Sequence, residues 1–324
     1  MGAMLDTGLA GRLAPSAWAP RVTAFSSRTS KGYDELATHG SLDQPRFALW
    51  GASYGSAGRM EGSARVGSAD QRVDDAHMAV GADLRLGLDT VAGLAVSGGK
   101  ARASLSGGLG KVESDVFQAG LYGMTTLGPI NLAAAGSYSR LDNDVSRAVP
   151  VLGNTLLSSY ASAAWSGRVQ ASAALASWGG LTLSPLMALQ AVTMRSPAFI
   201  ERTGFGANAA ALFVARNNAT TSRSEFGAQL DAEAPVGGVP LTAFMRASWA
   251  RYFQRDAEIT AGLVALPGTS FVTQGTRPDL NAALLAAGLD AALSERVTLG
   301  VRLESELSAN TRRLGGVAQM KISF

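Results

Sequence analysis

From Ala318 to the last residue every second position is apolar: Ala318, Met320, Ile322 and Phe324 alternate with Gln319, Lys321 and Ser323. That is the period of a β-strand with one greasy face and one wet face. Chain ends fray unless something ties them down, so a strand that runs to a terminal Phe needs a partner for its free edge. A closed membrane barrel supplies that partner, because its last strand pairs with its first. The same alternation recurs upstream. In Ala76–Leu88, Met78, Val80, Ala82, Leu84 and Leu86 share one face, with His77, Asp83 and Arg85 on the other. Thr221–Ala234 sets Phe226, Ala228, Leu230 and Ala232 against Glu225, Gln229, Asp231 and Glu233. Leu241–Gln254 sets Leu241, Met245 and Trp249 opposite Thr242, Arg246 and Ser248, and Val297–Leu307 carries Thr298, Arg302, Glu304 and Glu306 on its polar face.

Seven further segments complete a set of about twelve strands: Phe47–Gly58, Thr90–Leu105, Asp115–Leu127, Ile130–Leu141, Thr155–Ser177, Leu181–Arg195 and Leu280–Ala292. Long connections (Arg59–Asp75, Ser106–Ser114, Asp142–Asn154, Ser196–Asn218, Arg255–Pro278) alternate with turns at Asp89, Gly128–Pro129, Gly179–Gly180, Val236–Pro240 and Ser294–Glu295. Outer-membrane barrels alternate in this way, with brief periplasmic turns and longer outside loops. Soluble sandwiches have no reason to. One segment is ambiguous: Asn281–Leu293 (NAALLAAGLDAAL) suits a helix equally well. It is assigned to a strand because an even count is what closes the sheet and puts both chain ends on the periplasmic side. The fold class expected is therefore all-β: a 12-stranded antiparallel transmembrane β-barrel over residues 45–324. Residues 1–44 read as a linker with helix inside the pore. Leu5–Leu13 could form a short helix, stopped by Pro15 and Pro20, and Tyr33–Thr38 a second helical turn.

Composition sharpens this picture. Of 324 residues 47% are hydrophobic, yet no apolar run is long enough for a membrane helix. Barrels escape that test, because only alternate residues face lipid. The net charge of +3 is small and scattered, which argues against nucleic acid as a partner. Cysteine is absent, which removes thiol chemistry and disulfides and suits a chain crossing an oxidising periplasm unfolded. With two histidines, His39 and His77, few metal sites or catalytic triads can be built; no metal, cofactor or enzymatic activity is expected. Met1–Leu13 has no basic region followed by an apolar one, so an exported chain would be the remainder of a longer precursor.

If the apolar faces meet lipid, the polar faces line the interior: Asp83, Arg85, Glu225, Asp231, Glu233, Arg246, Arg302, Glu304, Glu306 and Lys321. A wall of both signs implies a hydrated lumen, wider than the filled core of an eight-stranded barrel and narrower than a porin channel. One helix, about 10–12 Å across, fits it. Strands longer than the 9–11 residues needed to cross should project above the outer surface.

Taken together, the chain from Phe47 to Phe324 resembles the translocator β-domain of classical autotransporters, the type V secretion proteins. The likeness is carried by FALWGASYGSAG at the first strand, LTLSPLMALQ at Leu181–Gln190, SEFGAQL at Ser224–Leu230, RASWARYF at Arg246–Phe253, ALPGTSFVTQG at Ala265–Gly275, and the terminal Phe324 with its alternating neighbours. The resemblance implies a 12-stranded monomeric barrel in the bacterial outer membrane, a helix in its pore and a secreted passenger upstream. It also implies periplasmic chaperones, and a barrel-assembly machinery that reads Met320, Ile322 and Phe324 as its signal. An aromatic is common two residues before the terminal Phe; Ile322 stands there instead. A subtype cleaves its passenger through an Asn in the helix, and no Asn precedes Asn131. The alternative is a free-standing outer-membrane porin or adhesin-like barrel.

Two sharper candidates are weighed against blander readings. His77 follows Asp74 and Asp75, a pattern outer-membrane hydrolases use, but a wet residue near the strand's outer end is the simpler account. Asp142–Asn143–Asp144 could hold Ca²⁺, but a solvated loop is the default.

Overall fold

The computed structural model describes residues 46–63, 67–87, 89–203 and 210–324. The expected linker and pore helix, and His39, lie outside the described residues. Twelve long strands form the wall: β1 (Phe47–Met60), β2 (Gln71–Arg85), β3 (Thr90–Leu105), β4 (Gly110–Leu127), β5 (Ile130–Val149), β6 (Asn154–Ala173), β7 (Leu181–Ser196), β8 (Asn217–Val236), β9 (Val239–Arg255), β10 (Asn281–Ala292), β11 (Val297–Leu307) and β12 (Thr311–Ser323). Each is antiparallel to the next, and β12 returns to β1 in a register running from Ala48↔Ser323 to Met60↔Thr311. The last residue takes part, its N–H donating to the Phe47 carbonyl at 2.8 Å. Closure leaves no sheet edge in hydrocarbon, where each unpaired backbone group would cost several kcal/mol. The Ala/Leu-rich segment is strand β10, paired with β9 and β11 along its length. Two flanking ladders outweigh its helical propensity.

The outer face is apolar at membrane height, with Met78 75% and Leu121 68% exposed. Tyr138 and Trp165, directly opposite one another with ring centroids 4.8 Å apart, sit one rung below Arg140 and mark the upper margin of this belt. Phe47, Leu127, Trp178 and Phe324 are exposed at the lower one. Inside, two bulky rings lie flat because the opposite residue has no side chain. A Cβ on Gly81 would come within 2.2 Å of the Trp50 ring, and one on Gly93 within 2.2 Å of Tyr122.

Two long loops expected from sequence are mostly strand. β4 begins at Gly110 and β5 runs to Val149, leaving only the 3₁₀ turns Ser106–Gly108 and Pro150–Leu152 as connections. The charges there are ion pairs on the outer face of a projecting wall, two across strands (Lys100–Asp115 at 3.3 Å and Arg102–Glu113 at 3.6 Å) and one along β5 (Arg140–Asp142 at 3.2 Å). At this height the polarity inverts, with charge outward and Ala101, Val116, Leu141 and Val145 buried inward. The alternation persists with its phase reversed, and a reading tuned to apolar-outward strands mistakes it for loop. Asp142 and Asp144 point outward while Asn143 is buried, donating to Ser162 Oγ at 2.7 Å. The three share no face, so the calcium reading fails.

The loops after β7 and β9 fold over the outer mouth. Their segments Phe199–Ile200, Leu212–Val214, Glu258–Leu263 and Phe271–Gln274 make a separate four-stranded sheet. It is anchored to the wall by the Phe199 ring stacked 4.2 Å from Tyr160, and by Arg147, whose guanidinium donates twice to Glu201 at 2.8 and 2.5 Å. The Leu212 N–H donates to the same carboxylate. At the first outer loop, the Gly62 N–H and then Arg59 hold the Asp70 carboxyl below its ordinary pKa.

Candidate functional site: the inner wall

The inward positions divide the wall into two unlike halves. On β1 and β3–β5 they are small, aromatic or uncharged, except for Arg147 at the outer end of β5. The Tyr54 hydroxyl donates to Ser97 Oγ at 2.9 Å, and the Gln118 amide donates to Ser139 Oγ at 2.9 Å. On β6, β8, β9, β11 and β12 they are charged. Arg168 on β6 reaches past β7 and donates to both oxygens of Glu225 on β8 at 2.6 Å, the bidentate geometry that gives guanidinium–carboxylate pairs their strength. Arg223 adds a third donor to Glu225 at 2.9 Å and donates to the Tyr252 hydroxyl at 2.7 Å, which in turn donates to Glu306 at 2.7 Å. Arg246 donates to Gln229 at 2.7 and 3.0 Å, and Gln229 donates to Asp231. Arg302 stands 3.9 Å from Asp290. Between these groups lies a cavity of about 90 Å³, lined among others by Arg168, Arg246, Glu304 and Arg313.

A second cluster bridges the seam. Lys321 on β12 pairs with Asp83 on β2 at 2.9 Å, across β1. Tyr122 also donates to Asp83 and accepts from Trp50 Nε1 at 2.8 Å. Higher on the same seam Arg313 donates to Ser56 Oγ at 3.1 Å, and Ser56 donates to Asp75 at 2.5 Å. Both links tie the strands flanking β1, so the first strand is held by its ladders and by side chains passing over it.

Of the residues singled out from sequence, Asp83, Glu225, Asp231, Arg302 and Glu306 are buried; Arg85, Arg246, Glu304 and Lys321 are half-buried; Glu233 is exposed at the inner rim. The structure brings Glu225 and Glu306 together through Arg223 and Tyr252, and Arg246 and Asp231 through Gln229. Met320 and Phe324 are exposed and Ile322 half-buried, all on the outward parity of β12. His77 is not the wet residue expected. Its side chain is fully buried, stacked 4.9 Å from the Tyr54 ring and 3.6 Å from Asp75. Sequence reasoning missed Arg168, Arg223, Tyr252 and Arg313. Arg223 follows a register irregularity at Ser222/Arg223, which breaks the period-two pattern there.

Residues 49–304 match the autotransporter β-domain family. This chain belongs to that family. As an autotransporter β-domain it is an outer-membrane barrel, and the apolar belt is its lipid-facing surface. The fold is similar to three solved autotransporter structures. The translocator domain of NalP from Neisseria meningitidis aligns with a TM-score of 0.68 and 15% identity, covering 87% of this chain and 90% of that one. The β-domain of the Bordetella autotransporter BrkA gives 0.64 and 16%, covering 86% and 100%. The transport unit of AIDA-I from Escherichia coli gives 0.55 and 11%, covering 100% and 99%. No curated protein matches the sequence.

Proposed function

We propose that this autotransporter β-domain acts as the translocator that supports export of a passenger attached to its own N-terminus. The observation that carries the reading is the direction of entry. β1 starts at the inner rim, so a chain preceding Phe47 must thread the barrel to reach the cell surface, past a wall bearing charges of both signs. In this reading residues 1–44 form the pore-lodged linker, residues 45–324 the barrel, and the charged half of the wall holds the linker by ionic contacts. The sheet over the mouth favours a plugged translocator above a free-standing porin, whose outer mouth would stand open.

Conductance of the barrel in planar bilayers tests it. Removing residues 1–44 should raise single-channel conductance well above that of the full chain; identical values sink the plug. The barrel works as a monomer, and it is delivered by periplasmic chaperones to the assembly machinery through the outward Met320, Ile322 and Phe324. Phe324→Ala should reduce the fraction inserted in cells while leaving the refolded barrel as stable as before. Unchanged insertion would remove the signal from β12.

A further inference from the structure

Between the outer-loop sheet and the wall lies a vestibule of about 430 Å³, within the size range of natural ligand pockets. Its character differs from the lumen below. The wall contributes Val112 and Val145, the loop sheet adds Leu212 and Ile259, and the stacked Tyr160–Phe199 pair supplies an aromatic face. Three charged residues border the space. Lys111 turns outward to Glu113 at 3.8 Å, and Arg147 and Glu201 pair with one another, so the space presents no net charge. Two polar groups stand apart. Gln71, on the inward parity at the outer end of β2, is 5% exposed, and its side-chain amide makes no hydrogen bond among the described residues. The Tyr160 hydroxyl makes none among them either. A buried amide left unpaired is costly, and nearly all such groups in proteins have a partner.

We infer that the vestibule is a binding site for a small uncharged molecule, mainly apolar, that carries one amide-like group. Apolar walls hold water poorly and accept apolar guests of matching size, and such a guest removes their surface from water. The Gln71 amide offers both donors and an acceptor, so the group that satisfies it must accept and donate in turn. An ionic guest is disfavoured. Arg147 already donates twice to Glu201, and no further charge among the described residues faces the space to offset the desolvation of an ion. An apolar enclosure with a few convergent polar groups is the usual make-up of a small-molecule site. The inference stands apart from passenger export, because every group it invokes belongs to β2, β4–β6 or the loop sheet.

The probe is N-phenylbenzamide, two aryl rings joined by an amide. It is titrated by calorimetry into the full chain in lipid nanodiscs, with the heat of empty nanodiscs subtracted. One saturable equivalent per chain is expected. Bibenzyl, which has the rings without the amide, should bind about tenfold more weakly because it leaves Gln71 unpaired. The anion para-benzamidobenzoate should lose at least about tenfold to desolvation. Gln71→Leu keeps the volume and removes the amide. It should weaken N-phenylbenzamide about tenfold and leave bibenzyl within about twofold. Ile259→Trp from the loop sheet and Val145→Phe from the wall fill the space, and each should abolish binding. Heat-modifiable gel mobility confirms the barrel in every variant, and either filling variant decides alone if the other fails to fold. No saturable heat in the full chain overturns the inference, whatever fills the vestibule. Binding that survives the filling variants also overturns it, since the probe then sits elsewhere. Equal affinity for bibenzyl or for the anion overturns the class of ligand.

Discussion

Glu225→Ala should lower the unfolding free energy of the barrel by about 3–5 kcal/mol, the cost of leaving buried charge uncompensated. Glu225 is 2% exposed and accepts from both Arg168 and Arg223. Its loss strands two guanidiniums at once. Arg168 is 6% exposed and keeps only the amide oxygens of Gln190 and Gln170 among its recorded partners. Arg223 keeps Tyr252 and a long contact to Glu306. Glu225→Gln retains an acceptor oxygen and the side-chain volume, so it should cost distinctly less. Urea titration in micelles, followed by far-UV circular dichroism, gives both values. A loss below about 1 kcal/mol for Glu225→Ala would match a screened surface pair. It would mean that lumen water solvates both arginines and that the charged half of the wall is wetted surface, not an ordered network.

That outcome bears on what could be read from residues alone. The period-two pattern is a property of single strands, and it located β3 and β11 at their observed bounds. The network is a property of strands in register. Arg168 and Glu225 belong to strands separated by β7, and they meet only because the stagger of the barrel brings them to one height. No spacing along the chain encodes that stagger. The misread loops have a different cause. Glu113 and Asp142 look like turn composition until their counter-charges are placed beside them, Arg102 on the neighbouring strand and Arg140 two residues back on the same one. His77 was misjudged because its burial depends on Tyr54 and Gly99, which belong to the two strands on either side of it.

The inversion of polarity along β4 gives the second large effect a built-in control. Leu121 and Glu113 both point outward from the same strand, but Leu121 lies in the apolar belt and Glu113 on the charged collar above Phe117. Leu121→Arg should destabilise the barrel by about 2–4 kcal/mol, the cost of a guanidinium facing hydrocarbon near mid-bilayer. Glu113→Arg should change stability by no more than about 0.5–1 kcal/mol, since it exchanges an exposed ion pair in water for a repulsion that salt screens. Folding titrations in phospholipid vesicles measure both, and the salt dependence should appear only in the second. Equal costs at the two positions would show that hydrocarbon reaches the collar, or that it never covers Leu121. Either result would move the membrane off the belt bounded above by Tyr138 and Trp165. Unequal costs in the expected order fix the bilayer against the wall independently of any passenger.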